Sequence, residues 1–149
     1  MPTHPIDTGA EAPNTEALLC DGDVFEARTI DDVAGDRGTV VVFFGFVFSA
    51  PALNWWRRYE SNGWHEFDGV TVVGAGRDGP YAQNEFLRQL DSPFRIFADV
   101  DGELADRFGV LREREGMPNA ATARRSVFVL DGEGEVRYSW AADDDITPV

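Results

Sequence analysis

The sequence predicts a single mixed α/β domain, with parallel strands alternating with helices and an antiparallel hairpin at each end. Three observations carry this. Val40 to Phe46 is a near-continuous apolar run rich in Val and Phe, the composition of a strand buried on both faces. Strand-like and helix-like periodicities then alternate as far as residue 108. Turn residues split the first and last apolar stretches into hairpins, at Asp21-Gly22-Asp23 and at Asp131-Gly132-Glu133-Gly134.

The elements follow in order. Met1 to Asn14 is polar, with prolines at positions 2, 5 and 13, and reads as an extended, mobile lead-in. Ala17 to Cys20 and Val24 to Ala27 form the first hairpin, and Ile30 to Ala34 a single helical turn. After the central strand, Ser49 is an N-cap candidate and Pro51 a first-turn residue for a helix over Ala50 to Ser61. Its Ala52, Trp55, Trp56 and Tyr59 fall on one apolar stripe. Val70 to Ala75 is the next strand and Tyr81 to Leu90 the next helix, with Ala82, Phe86, Leu87 and Leu90 facing inward. Phe94 to Ala98 is a third strand, Asp101 to Phe108 a short helix, and Arg112 to Ala123 a loop. Ser126 to Leu130 and Glu135 to Trp140 make the closing hairpin, and Asp143 to Asp145 a solvated acidic tail.

Composition narrows the function. Among 149 residues there are 27 acidic and 13 basic side chains, a net charge of −14, and every basic residue is arginine. Such a surface repels phosphate backbones and anionic lipid, so nucleic acid and membrane are not expected partners. The lysine-free, acid-rich balance points to a halophilic source, where dense salt screens carboxylate repulsion. Thr39 to Trp56 is uncharged, but its apolar part is too short for a span that needs about twenty residues. The N-terminus shows neither a basic nor a long apolar segment, so a cytoplasmic protein is expected. A single cysteine, Cys20, and two histidines, His4 and His65, leave no internal disulfide, CxxC pair or zinc cluster. No metal or cofactor is expected.

Two motifs read more plausibly as structure than as sites. Gly74-Ala75-Gly76-Arg77-Asp78-Gly79 is a literal GxGxxG between a strand and a helix, with Asp99 about twenty residues further on. Against a dinucleotide stand the Asp78 carboxylate where a pyrophosphate would lie, the third glycine at the helix boundary, and a strand internal to the fold. Asp99-Val100-Asp101-Gly102-Glu103 opens like a calcium loop, but its glycine is fourth instead of sixth and Val110 takes the glutamate's place. A helix start with acidic caps is the better reading.

The segment Phe43-Phe44-Gly45-Phe46-Val47-Phe48-Ser49-Ala50-Pro51-Ala52 is a strand that ends at a helix N-terminus, where thiol enzymes lower a cysteine's pKa. Here the chain resembles the peroxiredoxins, the alkyl hydroperoxide reductase and thiol-specific antioxidant family of the thioredoxin fold. The resemblance also runs through Gly9-Ala10-Glu11-Ala12-Pro13, Val40 to Phe44, Arg77-Asp78-Gly79-Pro80-Tyr81 with Phe86, Phe97 to Gly102 with Phe108-Gly109-Val110, and Arg125 to Asp131 with Gly134. It implies a thioredoxin-like fold and, for the family, reduction of hydroperoxides by a cysteine thiol.

The active-site motif departs from the family's Pro-x-x-x-Thr/Ser-x-x-Cys. The matching positions are Gly45, Ser49 and Ala52. By resemblance Ser49 keeps the hydroxyl and Arg125 the guanidinium that supports thiolate and peroxide. Ala52 replaces the reactive cysteine, and a methyl group cannot attack an O–O bond. Gly45 removes the proline that shields the family's site.

The leading expectation is a redoxin-family protein with a lost or remodelled peroxidase site. A second reading is a non-enzymatic module that binds a partner or a small anionic or peroxide-like ligand in the vacated cleft. That cleft would be lined by Gly45, Phe46, Ser49, Trp55, Trp56 and Arg125, although both tryptophans also suit the core. A weaker reading gives thiol chemistry to Cys20, whose bland role is a small buried hydrophobe. By the family pattern the fold continues into a closing helix, which is expected to be missing here; a homodimer or an exposed apolar patch on that sheet face is therefore expected.

Overall fold

The computed structural model describes residues 4–113 and 120–142. Gly38–Phe43 forms β3, an interior strand of a seven-stranded mixed sheet. In chain order the elements before it are β1 (Ala17–Cys20), β2 (Phe25–Arg28) and α1 (Ile30–Val33). After it come α2 (Ala50–Ser61), a 3₁₀ turn (Trp64–Glu66), β4 (Val70–Gly76), α3 (Pro80–Leu90), β5 (Arg95–Ala98) and α4 (Glu103–Arg107). The chain continues through β6 (Leu111–Glu113), β7 (Ala121–Ala123), β8 (Ser126–Asp131) and β9 (Val136–Ala141).

The sheet order is β2-β1-β5-β4-β3-β8-β9. Strands β3, β4 and β5 run parallel, and antiparallel hairpins flank them on both sides. Because successive side chains on a strand point to opposite faces, β3 serves two cores at once. Val41 and Phe43 join Leu104, Phe108 and Phe128 on one face. Val42, with Phe44 just beyond the strand, joins Trp56, Phe86 and Ile96 on the other. That double burial is why the run is apolar throughout instead of alternating.

Helix α2 spans the predicted residues, with Ser49 as its N-cap and Ala52, Trp55, Trp56 and Tyr59 buried. The structure corrects several other boundaries. Strand β3 leaves the sheet after Phe43, three residues early, because residues 44–49 turn the chain into α2 and Phe48 takes a left-handed φ of 64°. The second strand of the first hairpin starts at Phe25, not Val24. Helix α4 starts later than expected, at Glu103, because Gly102 sits at φ 76° and the Asp99 carboxylate accepts the first free amides. The predicted loop 112–123 contains β6 and β7, three residues each, too short to show a period. Residues 114–119 of it, and the acidic tail at 143–145, lie outside the described residues.

The lead-in, read from its sequence as mobile, is tied down from residue 4 onward. Ile6 N–H bonds Phe108 O, Gly9 N–H bonds Val136 O and Ala12 N–H bonds Gly134 O. Gly109, at φ 77°, lets the His4 carbonyl approach where a Cβ would collide with it. Among the described residues no helix is long and apolar enough to cross a membrane.

Candidate functional site

The candidate site lies where β3 gives way to α2. Strands β3 and β4 are parallel neighbours, so the loops at their C-terminal ends meet at one edge of the sheet. Ser49 accepts the Ala52 amide at 3.3 Å and donates its hydroxyl to Phe46 O at 2.9 Å. Leu53 N–H bonds Ser49 O at 3.1 Å, the first helical bond. Ala52 thus occupies the first turn of α2, at the positive end of the helix dipole. Its methyl is fully buried, at 0% exposure.

Trp55 follows one turn later, and the Arg125 guanidinium stacks on it, with Cζ 2.7 Å from the ring centroid. Arg125 stands just before β8 and is 2% exposed. The structure therefore sets Ser49 against Ala52 in the first turn of α2, and Arg125 against Trp55 one turn on. The first turn of a helix and a buried cation would favour an anion at position 52. What stands there is a methyl group, with no nucleophile. Gly45 and Phe46 lie in the connecting loop, both half-buried.

Trp56 points elsewhere. Its ring lies over Gly74, packed edge-on against Phe44, Tyr59 and Phe94. It is core, and not part of a cleft with Trp55. The ring also explains the glycine-rich motif. A Cβ at Gly74 would stand 2.5 Å from Trp56 Cζ2, and one at Gly76 would stand 2.9 Å from Phe44 Cζ. Both glycines make room for aromatic rings.

One residue of the site gives only a weak signal in the sequence. Asp78 Oδ2 accepts the Val47 amide at 2.8 Å, tying the β4–α3 turn to the loop before α2. Burial raises the Asp78 pKa, and the Val47 bond partly offsets it. Gln83, fully buried, braces the turn by donating to Gly76 O and Asp78 O. The available signal is topological: an acid in the loop after β4 must face the loop after its parallel neighbour β3.

Cys20 is on β1, separated from β3 by β5 and β4. It is fully buried, and burial pushes its thiol up to about 12. A thiol held protonated is a poor nucleophile, which argues against a redox role.

Asp99 caps α4, its two oxygens accepting Leu104 N–H and Ala105 N–H at 2.9 Å each. No group of metal-ligating side chains occurs there or elsewhere among the described residues. Burial raises the Asp99 pKa, and the two amide bonds partly offset this. The folded state therefore holds that proton more tightly than the unfolded chain. The carboxyl's contribution to stability is greatest below the ordinary aspartate value of about 3.9, and declines as the pH rises through the higher folded value. Asp99→Asn should flatten that part of the stability profile, while Asp99→Ala, which strands two buried amides, should cost about 2 kcal/mol near neutrality. Urea titrations between about pH 3.5 and 6.5 check both.

The fold and this strand-to-helix site define a thioredoxin-fold protein of the peroxiredoxin class. The AhpC/TSA family model matches residues 8–139, and the chain belongs to that family. It is 23% identical to the Coxiella burnetii protein named peroxiredoxin bcp, over 91% of this chain and 88% of that one. It is 26% identical to the Bacillus subtilis protein named peroxiredoxin YkuU, over 93% and 79%. Among solved structures, a cysteine-to-serine mutant of Xylella fastidiosa PrxQ superposes with a TM-score of 0.80 at 18% identity, covering 95% of this chain and 89% of that one. Mycobacterium bovis AhpC superposes at 0.79 and 22%, covering 100% and 93%.

Proposed function

We propose that this chain is a peroxiredoxin-family protein that keeps the frame of the reactive site and has no thiol-peroxidase turnover. One observation carries the reading: the buried first-turn position of α2, beside Ser49 and on the same helix as the Arg125-stacked Trp55, holds Ala52. The remaining thiol, Cys20, is buried on β1, with two strands between it and β3. The test is hydroperoxide consumption with dithiothreitol in multimolar salt, the medium that the acidic, lysine-free surface favours. The natural chain and Cys20→Ser should both match the protein-free rate. Turnover that vanishes in Cys20→Ser would sink the reading in favour of Cys20, and turnover that survives it would point to chemistry without a thiol.

A small anionic or peroxide-like ligand in a vacated cleft finds less support. Ala52 is fully buried, Arg125 is stacked on Trp55, and cavities of about 190–300 Å³ elsewhere on the chain are lined by other residues. A partner reading has better footing. On the α2 side of the sheet, Val40, Val129 and Tyr138 stand in register across β3, β8 and β9, and Tyr138 is 53% exposed. In this reading the face pairs with a second copy in the cytoplasm of a salt-rich cell. Light scattering should give a dimer that Tyr138→Asp converts to monomer; a monomeric natural chain would overturn the dimer.

A further inference from the structure

The peptide unit between Phe46 and Val47 is held at both ends. Its N–H donates to Asp78 Oδ2 at 2.8 Å, and its C=O accepts the Ser49 hydroxyl at 2.9 Å. In a trans peptide these two groups point in opposite directions, so the carboxylate on one side and the hydroxyl on the other fix the plane's orientation. The orientation has a consequence one turn on. Because Ser49 spends its proton on Phe46 O, its lone pairs are free to accept the Ala52 amide. A carboxyl acceptor at the N–H also polarises the unit and makes Phe46 O a better acceptor.

Two further features show that this loop depends on outside support. Phe48 holds a left-handed backbone, uncommon for an aromatic residue, with its ring edge-on to Phe86 of α3 at 5.5 Å. Asp78 is itself held from behind, its carbonyl accepting from Gln83 Nε2 and its neighbour Arg77 donating to Val100 O and Ala121 O.

We infer that Asp78 is the positioning residue of the site: through the Phe46–Val47 peptide it fixes the Ser49 hydroxyl and with it the first turn of α2 around position 52. The inference rests on position 52 being the family's reactive position only for its functional meaning. The geometry is tested in the natural chain.

The experiment is amide hydrogen exchange by NMR on the natural chain, Asp78→Ala and Asp78→Asn. Losing the bond from Val47 N–H should speed exchange at Val47, Ala52 and Leu53 about tenfold in Asp78→Ala, while Val41 and Val42 of β3 keep their rates. Asp78→Asn, which retains an acceptor oxygen, should restore most of the protection. Unchanged exchange at Ala52 in Asp78→Ala overturns the inference, and so does a uniform increase that includes β3, which would mark a merely structural role. A second readout places a cysteine at position 52: the thiol pKa of Ala52→Cys should rise when Asp78→Ala is added. A reactive Ala52→Cys thiol that ignores Asp78→Ala also overturns the inference. An unreactive one counts against the functional reading of position 52, and leaves the exchange result to decide on Asp78.

Discussion

Ala52→Cys should give a chain that consumes hydroperoxide in the presence of dithiothreitol. The new sulfur would sit in the first turn of α2, at the positive end of the dipole, with the Arg125 guanidinium over Trp55 one turn on. Two effects oppose each other there. Burial disfavours the thiolate, because Ala52 is fully enclosed. The helix end and the buried cation favour it, and the same low dielectric that makes burial costly strengthens both. Cysteines in such settings ionise below the ordinary value of about 8.5, so the electropositive side should win. The thiolate then attacks the outer peroxide oxygen, the O–O bond breaks, alcohol or water leaves, and the sulfenic acid formed is reduced by dithiothreitol. We expect a rate on the order of a hundredfold above the natural chain. By resemblance, Gly45 stands where the family has a shielding proline, so the sulfenic acid should also over-oxidise readily, visible as progressive inactivation with a sulfinic product in the mass spectrum. A folded Ala52→Cys without peroxide reactivity would count against position 52 as a reactive position.

Much of this was legible in the sequence, and the reasons differ by element. Strand β3 and α2 were readable because both faces of β3 are buried and Ser49 and Pro51 mark the start of α2. The departure from the family's motif at Ala52 was readable because it is a single side chain at a position that the resemblance singles out. Pairings between distant residues were not. Residues 4–12 look like a loose lead-in, yet backbone bonds to β9 and to the end of α4 use no side-chain pattern that a sequence could show. Strands β6 and β7 have three residues each, too few for a period, and they are held by each other, by Arg77 on Ala121 O and by Ala123 in the core. Asp78 read as an objection to a phosphate site, because its partner is a backbone amide 31 positions away and amides carry no signature in sequence. Trp55 and Trp56 are adjacent, so they looked like one aromatic feature. On a helix their side chains diverge by about 100°, which sends one to Arg125 and the other to Gly74.

That divergence makes Trp56 the residue on which the core beneath α2 depends most. Its ring is nearly fully buried, with centroids of Phe44, Tyr59 and Phe94 at 5.6, 5.2 and 5.3 Å. Trp56→Ala should cost about 3–5 kcal/mol, a large part of the roughly 5–15 kcal/mol that holds a domain folded. Gly74→Ala should be nearly as informative although it adds a single methyl. The new Cβ would stand 2.5 Å from Trp56 Cζ2, 2.7 Å from Cη2 and 3.2 Å from Ile96 Cγ1. Ring atoms cannot retreat as the end of a flexible chain can, and three other rings block the way, so about 2–3 kcal/mol should be lost. If the clash is the cause, the two positions must couple. In Trp56→Phe the smaller ring leaves space over β4, and adding Gly74→Ala there should cost less than about 1 kcal/mol, a coupling of roughly 1–2 kcal/mol readable from urea midpoints at constant salt. Strictly additive losses would mean instead that Gly74 is needed for its backbone and not for the room it leaves. The GxGxxG pattern would then have an origin other than the indole it accommodates.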